Sequence, residues 1–286
     1  MKIIDGKFIA NQIKEKLEKD ILRLREKNII PGLGIILGGC DPASEIYVRN
    51  KMKVCEELGI HAELYRFNEE HTDDDIIRQI KKLNQDDQID GILVQSPLPS
   101  HFHEEKIVSF VDKNKDVDGF GIYNLGLLLS NQEHVMAATP LGILKMLEYE
   151  HIEVVGKHVV VVGASLIVGR PMAIALLNRG ATVTMAHKQT QNLKEITRQA
   201  DILIVAIGQA NFITSDYVKE GAIVIDVGTN RVNGKLYGDV KFDEVSQKAS
   251  LITPVPGGVG PMTIMMLLSN VVDQAKIRGG ENGSKN

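Results

Sequence analysis

The sequence is short of several things, and each shortage narrows the reading. Two cysteines occur in 286 residues. Cys40 and Cys55 are too few for a disulfide framework and lack metal-ligand spacing. The eight histidines form no H-x-x-x-H pattern, so no structural metal is expected. No apolar run approaches the ~20 residues that cross a bilayer. The opening stretch MKIIDGKFIANQIKEKL carries charge throughout and has no apolar signal core, so the cytosol is the expected compartment and no membrane is a partner. A basic surplus is also missing: 33 Lys and Arg stand against 37 Asp and Glu, a formal net charge of −4. That argues against nucleic acid as a partner, because phosphate contacts draw on excess cations. What remains is an ordinary soluble balance of 43% hydrophobic and 24% charged residues, in a chain long enough for two domains.

Strand and helix patterns alternate along the first part. Lys7 to Lys27 is apolar at helical spacing, and Gly32 to Gly39 reads as a short buried strand. Ser44 to Gly59 reads as a helix with Ser44 as its cap and Gly59 as its stop. HAELYRF follows as a strand, TDDDIIRQIKKLN as a helix with acids in its first turn, and IDGILVQSP as a buried strand closed by Pro97. A looser region then leads to a helix over Thr139 to Glu150. From Gly156 the rhythm restarts, with strands expected at His158–Val162, Thr182–Ala186, Ile202–Ile207 and Ala222–Val227, and a last helix from Pro261 to about Lys276. Such alternation predicts an α/β fold of βαβ units on mostly parallel sheets. The polar tail RGGENGSKN is expected to be disordered.

The glycine fingerprint G-x-G-x-x-G is lacking too, yet HVVVVGASLIVGRPMAIALL has its layout of strand, tight turn and helix. Gly163 permits the turn, Ser165 occupies the middle position, and Gly169 lets helix and strand pack closely. The helix N-terminus offers free N–H groups and a positive dipole end to a diphosphate, and Pro171 suits a first helical turn. A plain packing turn uses the same glycines, and this stretch alone does not decide between them. The next strand ends in His187-Lys188-Gln189-Thr190, with no acid to grip a ribose 2′-OH; Lys188 suits a 2′-phosphate, which points to NADP. AIGQ (Ala206–Gln209) and DVGTN (Asp226–Asn230) place further glycines just past strand ends, where open parallel sheets bind ligands.

In the first half, Tyr47 and Lys51 lie one helical turn apart on one face. A ring beside a lysine can shield it from water and lower its pKa, as proton transfer requires. Gln95 ends a strand, and Asp118 sits before a glycine in DKNKDVDGFG, where it can accept N–H donors of a ligand. Taken singly, each also fits an exposed lysine, a polar strand end or a turn. TPVPGGVGPMT (Thr253–Thr263) is a stiff loop that brings bare backbone close to something.

Together, DPASEIYVRNK, GILVQSPLP, KDVDGF, GASLIVGRPMA, GDV and ITPVPGGVGPMT follow the order and spacing of one family. Over residues 1 to about 278 the chain resembles the bifunctional methylenetetrahydrofolate dehydrogenase/methenyltetrahydrofolate cyclohydrolases, the FolD family. The resemblance implies two α/β domains flanking a cleft, the second a Rossmann-like dinucleotide-binding domain, in a homodimer. The domains are expected at 1–139 plus a returning helix at about 265–278, and at 140–264, with 279–286 as tail. The implied reaction oxidises 5,10-methylenetetrahydrofolate with NADP+ and hydrolyses the product to 10-formyltetrahydrofolate. Lys51, helped by Tyr47 and Gln95, matches the catalytic lysine, Asp118 matches the aspartate that holds the pterin, and Pro256, Gly257 and Gly258 line the folate site. The implied cofactor contacts are Gly163, Ala164, Ser165, Val168, Gly169, His187, Lys188, Thr190, Ala206, Gly208, Gly228, Thr229 and Thr263.

The chain departs from the family where an arginine is usual at Ala164 and a serine at Lys188, which leaves NAD as an alternative cofactor. Ser96, Ala138 and Gly121 also replace usual residues near the site. Two other readings are a monofunctional cyclohydrolase with a weak or NAD-dependent dehydrogenase, and a non-catalytic nucleotide-binding regulator. Retention of Tyr47, Lys51, Gln95 and Asp118 counts against the latter.

Overall fold

The computed structural model describes residues 2–281. Of the expected tail, residues 279–281 are described and 282–286 lie outside the described residues. The chain divides into two compact units. One comprises Met1–Gln12, Leu128–Gln132 and Ala137–Met266; the other comprises Ile13–Leu127, Glu133–Met136 and Leu267–Asn286.

The elements begin with β1 (Lys2–Ile3), α1 (Gly6–Glu26), β2 (Gly32–Gly38), α2 (Pro42–Leu58), β3 (His61–Phe67) and α3 (Asp73–Gln85). They continue with β4 (Gly91–Gln95), α4 (Glu104–Val108), α5 (Ile122–Leu129), α6 (Ala138–Tyr149), β5 (His158–Val162) and α7 (Gly169–Asn178). Next come β6 (Thr182–Ala186), α8 (Leu193–Thr197), β7 (Ile202–Val205), β8 (Ile223–Asp226), β9 (Asn230–Val232) and β10 (Lys235–Tyr237). The last are α9 (Phe242–Val245), β11 (Leu251–Ile252) and α10 (Val259–Arg278).

In the unit that contains most of the first half, β2 lies between β3 and β4, all parallel. Every residue of β2 and β4 is buried, which is why both read as unbroken apolar runs rather than alternating ones. Ile36, Ile92 and Val94 of the sheet share one core with Ile76, Ile80 and Leu83 of α3. α3 starts at a capping box in which the Asp75 carboxylate accepts from the Thr72 N–H at 2.8 Å. α2 is capped by Asp41 and not by Ser44: Ser44 donates its N–H to Asp41 Oδ2 at 2.8 Å. The aspartate precedes Pro42, which suits the first turn because it has no N–H to satisfy. Gly59 ends α2 in the left-handed region at φ 72°. The end of α10 is held here as well. Arg278 donates Nε to Asp90 Oδ1 at 2.7 Å and a terminal N–H to Oδ2 at 3.0 Å, and Gly32 N–H donates to the same Oδ2 at 2.9 Å.

The other unit carries a six-stranded sheet in the order β1-β11-β8-β7-β5-β6, with every pairing parallel. β1, β11 and the antiparallel hairpin β9–β10 go beyond the four expected strands. They are two or three residues long, too short for a pattern of alternation to show. The core places Val160, Val162, Leu203, Val205 and Val224 against Val240 and Ile252. The register decides where ligands can sit. Val162 pairs with Ala186 and Val205, and Val205 with Asp226, so four strands end level. The loops after them emerge along one edge. β5 is flanked by β6 on one side and β7 on the other, so the chain reverses its direction of travel at β5, which makes the loop at Gly163 the topological switch point of the sheet.

Candidate active site

Lys51 and Gln95 come together. Lys51 projects from α2, and Gln95 is the last residue of β4, level with Leu37 of β2. Lys51 Nζ donates to Gln95 Oε1 at 3.0 Å, and Gln95 Nε2 donates to the Ser96 carbonyl at 2.8 Å. The glutamine is therefore fixed at both ends of its amide, with its oxygen turned to the lysine. Burial pushes the Lys51 ammonium below the usual lysine range, against the attraction of the Asp118 carboxylate. Burial pushes Asp118 the other way, up to about 7, reinforced by the negative charges of Asp116 and Glu104 and opposed by Lys51. Burial thus moves the proton affinities of the lysine and the aspartate toward each other, as a site that passes protons requires. Tyr47, one turn before Lys51, is 47% exposed and makes no hydrogen bond among the described residues. Its hydroxyl remains available to a ligand, and Gln95 is the group that holds the lysine.

The loop that presents Asp118 is built by Asp116, which is buried. Its carboxylate accepts N–H groups from Gly119 at 3.0 Å and Gly121 at 2.8 Å, and the Asn124 side-chain amide at 2.8 Å. A Cβ at Gly121 would meet Asp116 Oδ2 at 2.6 Å. The glycine there serves the fold of the loop.

On the six-stranded sheet, Gly163 has φ 121°, and a Cβ on it would lie 2.1 Å from the Ala206 carbonyl oxygen. A Cβ on Gly169 would lie 1.9 Å from the Gly163 oxygen. Neither position tolerates a side chain, so the turn is bare backbone packed to contact. Ser165 Oγ accepts from the Val168 and Gly169 N–H groups at 3.2 and 3.4 Å. The hydroxyl thus ties down the start of α7 and keeps its own proton to donate. Arg170 donates Nε to the Ala164 carbonyl at 3.0 Å, which brings a guanidinium to the loop where the sequence has no arginine at 164. After β6, His187 N–H donates to Thr190 Oγ1 at 2.9 Å and closes a tight turn. Lys188 at its tip is exposed and has no partner among the described residues. A bare turn, a helix start and a free cation fit a dinucleotide phosphate.

Thr263 shares a hydrogen bond of 3.0 Å with Thr139. In the loop before α10, Gly257 has φ 103°, and its carbonyl accepts from Lys7 N–H at 3.0 Å. Pro256 is exposed and Gly258 buried; a Cβ on Gly6 would meet the Gly258 oxygen at 1.8 Å.

Comparison with known proteins decides what this arrangement belongs to. Residues 4–118 match the catalytic domain of tetrahydrofolate dehydrogenase/cyclohydrolase, and residues 137–279 match its NAD(P)-binding domain. The chain belongs to the tetrahydrofolate dehydrogenase/cyclohydrolase family.

Relatives in this family cover it nearly end to end. The Bifunctional protein FolD of Bacillus anthracis is 50% identical over 278 residues, 97% of each chain. The crystal structure of the bifunctional enzyme FolD from Campylobacter jejuni is 50% identical, with a TM-score of 0.96 over 97% of this chain and 99% of that one. The enzyme from Trypanosoma brucei, solved with NADP cofactor and an inhibitor, is 35% identical, with a TM-score of 0.92 over 96% and 97% of the two chains.

Within this tetrahydrofolate dehydrogenase/cyclohydrolase, two buried aspartates carry more than the sequence assigned them. Asp226 ends β8 and accepts N–H groups from Gly228, Asp239 and Val240, each at 2.9 Å. Asp239 is fully buried and accepts from the loop after β7. A Cβ on Gly228 would lie 2.4 Å from Asp239 Cγ, so this glycine makes room for a carboxylate of the chain itself, while Thr229 beside it is exposed. The motif GDV marked the position of Asp239. Its function was not readable, because three of the four donors it collects lie about thirty residues earlier in the chain.

Proposed function

We propose that the chain oxidises 5,10-methylenetetrahydrofolate to the methenyl cation with NADP+ and hydrolyses that cation to 10-formyltetrahydrofolate. The observation that carries this reading is the Lys51–Gln95 hydrogen bond beside Asp118, in a domain that matches the family's catalytic domain. Tyr47, Lys51, Gln95 and Asp118 are proposed as the catalytic set. Pro256, Gly257 and Gly258 are added as folate contacts, and the loops at 163–169, 187–190, 206–208 and 228–229 with Thr263 as cofactor contacts. The residues fit a dinucleotide, because the turn at Gly163 and Gly169 is bare backbone. NADP+ when bound accepts the hydride from the methylene carbon. Lys188 supports NADP over NAD, since it is an exposed cation just past β6 that has no acidic partner among the described residues.

Hydrolysis is the step in which the side chains handle protons. Water adds to the methenyl carbon, and one of its protons passes to Lys51 in its amine form, a form that burial of the side chain favours. The remaining O–H proton goes to the tetrahydropterin nitrogen as that C–N bond breaks and the formyl C=O forms. The Gln95 oxygen keeps the amine aimed. Asp118 anchors the substrate through the donors of its ring, and it does so as a carboxylate. A homodimer, which the resemblance implies, is tested by light scattering.

The first assay follows reduced-nicotinamide absorbance with 5,10-methylenetetrahydrofolate and NADP+ or NAD+ in parallel, with decay of the methenyl chromophore measured separately. The expected result is both activities, with NADP+ preferred. Faster reduction with NAD+ refutes the cofactor choice alone, and absence of both activities refutes the enzyme reading.

A further inference from the structure

The loops after β7 and β8 are where a parallel sheet meets its ligand, and their backbone N–H groups point inward. Asp239 Oδ2 accepts from Ile207 at 2.7 Å and Gly208 at 3.0 Å, while Oδ1 accepts from Gln209 and the Asn230 side-chain amide, both at 2.8 Å. Three successive backbone donors converging on one anion make the nest by which proteins hold phosphates, and here the chain fills the nest from below with its own carboxylate. Trans peptides set N–H and C=O in opposite directions. With these N–H groups turned to Asp239, the carbonyls of Ala206, Ile207 and Gly208 point away from it. The contact of the Ala206 oxygen with Gly163 agrees with this. Asp226 completes the link by accepting the N–H groups of Asp239 itself and of Gly228. The loop at 206–209 and the loop at 227–230 are therefore locked to each other through one buried side chain.

We infer that Asp239 is a positioning residue for the nicotinamide cofactor. It holds the β7 and β8 loops as a single edge whose outward carbonyls receive the donor groups of the bound cofactor. The inference rests on the dehydrogenase reading above. Asp239 touches no reacting atom and acts through Ile207, Gly208, Gln209 and Asn230.

The test is Asp239→Asn, which keeps the shape but replaces one oxygen by NH2. Whichever way the amide turns, that NH2 faces two donors, so the loop cannot keep its form. NADP+ titration by isothermal calorimetry and dehydrogenase kinetics are compared with hydrolysis of methenyltetrahydrofolate, a step that consumes no cofactor. The expected result is at least a tenfold rise in Kd and KM for NADP+, with hydrolytic kcat within about twofold of wild type. Cofactor affinity within twofold of wild type overturns the inference, and so does an equal fall of both activities in a folded variant. If Asp239→Asn does not fold, Asn230→Ala removes one donor and leaves the carboxylate satisfied by three. A several-fold rise in KM for NADP+ with hydrolysis kept then supports the inference, and no change in KM overturns it. A wild-type chain that hydrolyses the substrate but binds no nicotinamide cofactor defeats the dehydrogenase reading itself, which separates the two failures.

Discussion

Asp118→Asn removes a charge without changing the shape of the side chain. Burial raises the Asp118 carboxyl from 3.8 to about 7, so ionising it costs free energy in the folded chain alone. At roughly 1.4 kcal/mol per pH unit, that interval corresponds to on the order of 4 kcal/mol. Asp118 keeps some exposed surface, and solvent there lowers the effect to about 2 kcal/mol. The sign follows from the direction of the displacement. Below about pH 4 the group is protonated in both states and costs nothing; the cost grows between about 4 and 7 and is complete above 7. The asparagine variant is therefore expected to match wild type at pH 4 and to be more stable by about 2 kcal/mol at pH 8. Urea unfolding at pH 4, 6 and 8 measures this. Methenyl hydrolysis is expected to fall at the same time, because the variant lacks the carboxylate proposed to anchor the substrate. Equal stability at pH 8, or a gap that does not widen with pH, would refute the argument that Asp118 is held as a costly charge for the sake of function.

Five further substitutions have expected outcomes. Lys51→Met lowers methenyl hydrolysis by at least about a hundredfold, the scale of a lost general base, and steady-state turnover near wild type would sink the assignment. Gly163→Ala sets a methyl 2.1 Å from the Ala206 oxygen at a φ of 121°; it is expected to cost about 2 kcal/mol or more and to abolish NADP+ binding. Gly208→Ala has open space around its Cβ and a φ of 69°, so it is expected to cost about 1 kcal/mol; thermal unfolding of the pair distinguishes them. Asp90→Ala leaves Arg278 and the Gly32 N–H without their acceptor, and a loss of about 3 kcal/mol in urea unfolding is expected. Arg278→Lys should recover only part of the clamp, since lysine lacks the fork that spans both oxygens.

Much of this protein was legible in the chain. Continuous apolar runs such as GILVQ and HVVVV specify strands buried on both faces, and the period of α3 specifies a helix, because burial of one face depends only on local spacing. Tyr47 and Lys51 were placed together for the same reason, being one helical turn apart. The loop from Gly163 to Gly169 showed the layout of a dinucleotide turn despite its serine, since each residue's task there is local, but the stretch alone did not separate that from a packing turn, and the match to an NAD(P)-binding domain over residues 137–279 did. Tertiary structure decided what distance along the chain conceals. It brought Gln95 to Lys51 across 44 positions, and buried Lys51 and Asp118 so that their proton affinities moved toward each other. It also drew Ile207, Gly208 and Gln209 onto an aspartate some thirty positions later. The short strands β1 and β11 likewise exist only because β8 offers them an edge. Periodicity reports which face of an element meets the core. Which partners meet on that face is fixed by sheet order and register, and those emerge only when the elements pack.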